Sequence, residues 1–208
     1  MLAYVILLRH GWSVDYAADT AARLAAARQA TTLSPGDALS QGLLSNALSD
    51  VGDAKNAAEA AKRALELDRN SVQALGTISL TTAFIGDPHE ALGAVERVLD
   101  LAPAHYDRAE FVSVAALLHW KLGNPARAVA LADEGAGLKR ESVLGPLVQA
   151  VTMVGAGRLE DAKAALAEAR SLRPDLGPRL VLSILPFADP ADRAALLDAL
   201  RQAGLNHA

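Results

Sequence analysis

The stretch "SDVGDAKNAAEAAKRALELD", residues 49 to 68, decides the fold, because its pattern recurs three times further along the chain. "AFIGDPHEALGAVERVLDLAP" (83–103), "WKLGNPARAVALADEGAGL" (120–138) and "VGAGRLEDAKAALAEARSLRP" (154–174) share its register. The anchoring glycines, Gly52, Gly86, Gly123 and Gly157, are spaced by 34, 37 and 34 residues. Five positions after each glycine stands an alanine (Ala57, Ala91, Ala128, Ala162), where a small side chain lets two antiparallel helices lie close. A second small or modest residue follows (Ala64, Val98, Gly135, Ala169), and then a leucine (Leu67, Leu101, Leu138, Leu172). All four glycines can take the left-handed conformation that ends a helix. Asp87-Pro88 and Asn124-Pro125 each put a capping side chain before a proline suited to the first helical position. The pattern predicts helices at 38–50, 54–68, 72–85, 88–101, 107–121, 125–138, 143–155 and 159–172. The extra residues of the longer interval fall in "APAHYDRAE", 102–110.

Composition agrees with a helical chain. Hydrophobic residues make up 51% of the 208 but aromatics only 4%, so the apolar content is mainly Ala and Leu. These residues lose little on entering a helix, whereas strands prefer β-branched and aromatic residues. The expected class is all-α. A formal charge of -4 offers no basic surface to neutralise phosphates, so no nucleic-acid partner is expected. Without cysteine there is no disulfide, thiol nucleophile or thiolate metal site. The apolar run Leu2 to Leu8 lacks a basic leader, stops at Arg9 and His10, and is far below the roughly 20 residues that cross a bilayer. A soluble, cytoplasmic protein with no membrane partner is expected.

A helix-turn-helix unit of this period resembles the tetratricopeptide repeat (TPR) family. The resemblance implies a right-handed α-solenoid of antiparallel helix pairs, the TPR superhelix. Residues 1–35 would form a partial repeat and 38–175 four repeats (38–71, 72–105, 109–142, 143–176). Residues 177–208 would supply capping helices and a tail. Pro103 and Pro174 stand where a proline closes the repeat, as Pro35 does for the earlier partial unit. The repeats are degenerate. Leu44, Ile78, Ala115 and Gln149 occupy a position usually leucine, and Leu48, Thr82, His119 and Met153 one often tyrosine, while Arg69 and Arg140 replace the closing proline.

Both ends carry information. Thr20 to Leu33 reads as a second helix whose first would be Leu2 to Arg9, joined by "HGWSVDYAAD". That pair has no polar outer face, although a solenoid normally needs a capping unit. The expectation is an open N-terminal edge that joins a further domain, takes a partner or pairs two copies into a homodimer, the alternative being that Leu2 to Arg9 form a slightly unusual cap. At the other end Asp189 caps a helix with Pro190 at its first position, Ala194, Leu196, Leu197 and Leu200 as its apolar face, and Gly204 as its stop. "LPFADPADRAALLDALRQAGL", 185–205, is similar to the closing segment of TPR regions behind bacterial class III adenylate or guanylate cyclases and related winged-helix regulators. "GWSVD" also looks like those regions. This resemblance implies a regulatory or sensor segment of a signalling protein and carries no catalytic activity.

Candidate chemistry is sparse. "YVILLRHGWS", 4–13, resembles the opening of histidine phosphatases, with His10 as the residue that takes the phosphoryl group. That chemistry needs an α/β sandwich and a second histidine converging on the phosphate. Residues 38–172 are committed to helices, and His89, His105, His119 and His207 lack a strand-then-His-Gly context. Arg9 and His10 therefore read as a helix C-terminus before Gly11. No two histidines stand four apart, and Glu59, Glu66, Asp100, Glu160 and Asp161 read as solvated helix surface. No catalytic, cofactor-binding or metal-binding residue is expected, and no enzyme.

The surface with promise is the concave face, lined by the first helix of each repeat. By register it presents Gly42, Asn46, Ser49 and Asp50, then Gly76, Leu80 and Ala83, then Ser113, Leu117, Trp120 and Lys121, then Leu147 and Val151. Asn46, Asp50, Leu80, Leu117, Trp120, Lys121 and Val151 are the candidate partner-binding residues. Only Lys121 among them is cationic, so the groove suits an apolar peptide or an amphipathic helix. A non-catalytic protein-interaction module is the expected function, with the C-terminal helix as an alternative occupant of the groove.

Overall fold

A computed structural model describes residues 15–138 and 142–205 of the chain. The eleven regular elements among them are all helices. They are α1 (Tyr16–Leu33), α2 (Ala38–Asp50), α3 (Ala54–Leu67), α4 (Val72–Ile85), α5 (Pro88–Leu101) and α6 (Arg108–Lys121). They continue as α7 (Pro125–Leu138), α8 (Leu144–Gly155), α9 (Leu159–Leu172), α10 (Pro178–Ile184) and α11 (Pro190–Gln202). The readings placed on Leu2 to Arg9, His10, the first four residues of "GWSVD", the N-terminal edge, Arg140 and His207 lie outside the described residues.

The helices start and stop where local chemistry dictates. Helix α1 begins at Tyr16 rather than Thr20, because Asp15 accepts a hydrogen bond from the Ala18 N–H and caps the earlier start. Asp53, Asp87 and Asp189 cap α3, α5 and α11 in the same way, accepting from Asn56, His89 and Ala191. At the other ends Gly52, Gly123 and Gly157 adopt φ of 77°, 75° and 74°. The N–H just beyond each reaches back to a carbonyl of the last turn: Asp53 to Leu48, Asn124 to His119 and Arg158 to Met153. Gly86 departs from the expectation. It does not adopt positive φ, and its N–H donates to the Thr82 carbonyl, so the turn of α4 simply runs on.

The chain divides into two compact units, up to Thr81 and from Thr82 onward, with the boundary inside α4. In the first, α1 packs on α2 and α2 on α3, around Leu48, Ala57 and Ala60 with Leu24 and Leu44 half-buried beside them. In the second, α5 packs on α6, α6 on α7, α7 on α8 and α8 on α9, and α11 returns to α8. The repeat alanines do what their size suggests: Ala57, Ala91, Ala128 and Ala162 are all 0% exposed. The leucine that follows in each repeat is peripheral, since Leu67, Leu101 and Leu138 sit in the last turn of their helices and stay partly exposed. Helix α11 also differs in detail: its buried face is Leu196, Ala199 and Leu200, while Ala194 is exposed.

Helix spacing is tightest at some glycines and loose at others. A Cβ on Gly145 would lie 2.7 Å from the Cα of Ala136, where backbone cannot yield, whereas one on Gly93 would meet nothing within 4 Å. Gly145→Ala is expected to cost about 1–3 kcal/mol through forced separation of α7 and α8. Gly93→Ala, in an open helix interior, is expected to stabilise by about 0.5–1 kcal/mol. Urea midpoints at unchanged slope measure both, and equal effects would contradict this account of the packing.

Candidate functional site

The site is built where the chain's own C-terminal segment crosses the second unit. After α9 the chain turns, with Leu176 and Val181 buried, and α10 ends at Ile184. Residues 185–189 then run without helix before α11 begins. Phe187 lies in this stretch, 3% exposed, in a slot lined by Ala83, Phe84, Val114, Leu117 and Leu118. Its ring meets Phe84 edge-on, centroids 5.2 Å apart at 72°, a favoured aromatic arrangement. The next residue adds a backbone bond, because the Ala188 N–H donates to the Phe84 carbonyl at 2.8 Å. Phe84 is in the last turn of α4, and the residue four further on, Pro88, has no N–H to offer. The orphan carbonyl is thus satisfied from the far end of the sequence.

Charge closes the slot's rim. The Lys121 Nζ lies 5.5 Å from the centre of the Phe187 ring and 2.5 Å from Asp192 Oδ2. Both side chains of this pair are 20% exposed, so the contact is partly shielded yet open to solvent. Beyond it Leu196 and Leu200 of α11 are fully buried, and α11 covers α8.

The expected groove residues fall into distinct environments. In the second unit Leu117 lines the Phe187 slot and Lys121 pairs with Asp192. Val151 is 0% exposed within α8, the helix that α11 covers. Trp120 is half-buried with its ring edge against Gly155, where a Cβ would lie 2.8 Å from Cδ1. Ser113, placed by register on the same wall, instead faces α7: a Cβ on Gly135 would lie 2.8 Å from its Oγ.

In the first unit the polar residues are engaged in holding helices together. The Thr77 hydroxyl of α4 donates to Asn46 Oδ1, with the Ser45 hydroxyl 3.0 Å from Thr77. Asp50 pairs with Arg23 of α1, whose side chain is only 8% exposed and needs that counter-charge. Leu80 is half-buried. Phe187, Phe84 and Asp192 were not singled out from the sequence, although the rarity of phenylalanine, three in the whole chain, was a usable signal.

One ionisable side chain is placed against its nature. His119, near the end of α6, is 12% exposed, and both ring nitrogens are buried without a hydrogen-bond partner; Glu96 Oε1 lies 3.7 Å from Nε2, beyond that reach. Burial holds the imidazole below the usual histidine range, with Glu96 opposing the shift and Arg127 adding to it. The folded chain therefore keeps His119 neutral while the unfolded chain takes up the proton first, near pH 6.5. Stability from this site is full above about pH 6.5 and falls as pH drops toward the folded-state value. Melting temperatures between pH 7.5 and 5 are expected to fall more steeply for the wild type than for His119→Leu; parallel curves would remove this role. Among the described residues no group of three or more His, Asp or Glu is placed to hold a metal ion, and no helix is long and apolar enough to cross a membrane.

Comparison with known proteins follows this geometry. Residues 38–71 match the tetratricopeptide repeat family model. No curated protein sequence matches the chain. Among solved structures, it is similar to YrrB, a TPR protein with an unusual peptide-binding site, at 18% identity and a TM-score of 0.59, over 86% of this chain and 90% of that one. It is similar to TTC0263, a thermophilic TPR protein of Thermus thermophilus, at 18% identity and a TM-score of 0.60, over 95% and 99% of the two chains. PilW, a type IV pilus biogenesis factor, matches at 16% identity and a TM-score of 0.66, over 97% and 89%. The chain has the all-helical fold of TPR solenoid proteins, with residues 38–71 similar to the repeat itself.

Proposed function

We propose that this chain is a protein-interaction module that holds an apolar or amphipathic segment of a partner on the walls formed by its first helices, contributing geometry rather than chemistry. One observation supports it above the others: the α6 wall already receives a segment, with Phe187 in an apolar slot and Asp192 on Lys121. A face that seats an aromatic side chain, a backbone donor and a carboxylate has what peptide recognition requires. The peptide-binding site of the similar YrrB is a second support, taken from a protein of the same fold.

Leu117 and Lys121 are the partner-binding positions this reading favours, with Trp120 and Val151 beside them and Asn46, Asp50 and Leu80 on the first unit's wall. The closing string that resembles cyclase-linked regions is the segment docked here. In a cytoplasmic signalling protein such a module would serve as a regulatory half.

A displayed library of helical and extended peptides, panned on the full chain, tests the reading. Enriched peptides are expected to be apolar with acidic flanks and to bind saturably. Leu80→Asp or Trp120→Ala should weaken them by about tenfold, on the order of 1.4 kcal/mol. A panel without a saturable ligand, or ligands indifferent to every wall substitution, would overturn it.

A further inference from the structure

We propose that the Phe187 slot is the partner site of the second unit, held closed in cis by residues 185–192, and that the partner presents an aromatic side chain with a carboxylate five residues further along. This rests on the interaction-module reading above and adds the chemistry of the ligand and the way the site is guarded.

Capping does not account for the 185–192 stretch. The last repeat needs its exposed apolar face covered, and α11 packs on α8 with Leu196, Ala199 and Leu200 buried. The preceding residues go further, to Ala83 and Phe84 at the end of α4 and to Val114, Leu117 and Leu118 of α6. Those helices do not belong to the last repeat. Their contact with Phe187 is a docking contact.

The three interactions that hold the stretch are ones a foreign segment can reproduce. An aromatic ring fills the slot, a main-chain N–H from any residue but proline satisfies the Phe84 carbonyl, and a carboxylate reaches Lys121. Charge complementarity identifies the partner, because Lys121 stands at the rim both within reach of the ring and on the acid. Residues 185–189 are outside any helix and α10 before them is 7 residues long, so release costs chiefly the burial of Leu185 and Phe187 and the first turn of α11 that carries Asp192.

The test uses the full chain and a fluorescent synthetic peptide of residues 183–205. Wild-type chain is expected to bind it poorly, and Phe187→Ala chain about tenfold more tightly or better. Peptides carrying Phe187→Ala or Asp192→Lys should lose that gain. The charge swap decides independently, and serves if Phe187→Ala does not fold: Lys121→Glu chain should take up the Asp192→Lys peptide, and adding Asp192→Lys to the same chain should close it again. Equal binding by wild-type and opened chains, or no closure by the swap, would overturn the proposal. Were the opened chain to refuse the peptide while library ligands still bound and still responded to Leu80→Asp, the guarded slot would be wrong and the interaction module would stand. Loss of both would remove the module as well.

Discussion

Contact between paired helices at four alanines sets the terms for the rest of the structure. Ala57, Ala91, Ala128 and Ala162 are completely buried, each one turn into the second helix of its pair. At such positions backbone approaches backbone, and a methyl group fills the space available. Side-chain volume is consequently low at these contacts. A core built this way is stabilised by many short contacts rather than by a few large side chains. It leaves larger residues to the seams: Leu118, Leu147 and Leu166 within the second unit, and the leucines of α11 where the stack would otherwise end.

The turn at Gly86 shows how a local irregularity draws in a distant segment. At Gly52, Gly123 and Gly157 a left-handed glycine lets the chain satisfy the last carbonyls of each helix by itself. At Gly86 the helix runs on, and Pro88 cannot serve the Phe84 carbonyl. The Ala188 N–H supplies the partner that this helix-end carbonyl lacks and fixes the C-terminal segment in register, so that Phe187 enters its slot and Asp192 arrives at Lys121.

How much of this was legible follows from the range of the forces involved. The eight repeat helices lie within a residue of their expected ends, because caps, prolines and glycines act on neighbours a few residues away and are written beside them. The start of α1 was misplaced by four residues only because Asp15 was not recognised as its cap. On α6 helical register named Leu117 and Lys121 but not the Phe187 and Asp192 that meet them, and the same register put Ser113 beside them although it faces Gly135. Asn46 and Asp50 looked like free polar groups since nothing near them in sequence reveals Thr77 or Arg23, which lie 31 and 27 residues away. Phe187 and Asp192 escaped for the same reason, as Asp192 meets Lys121 across 71 residues. Periodicity fixes which face a residue takes; it does not say what arrives there from elsewhere.

An aromatic-poor core has a functional corollary. Where helices are drawn together by alanines there is little room for a phenylalanine between them, and large rings fit where helices diverge or end. Phe84 and Phe187 meet at such a place, the end of α4 beside the α6 wall, and Phe111 lies at the opposite end of α6 against the His105 ring of the irregular 102–110 joint. These rings therefore sit at discontinuities of the repeat, and two of them are buried there, Phe111 at 5% and Phe187 at 3% exposure. Discontinuities are also where backbone groups lack partners and where a segment from outside a repeat can gain hydrogen bonds on docking. The packing rule that makes the repeats regular thus leaves long-range contacts such as Phe84 with Phe187 to the joints where it lapses.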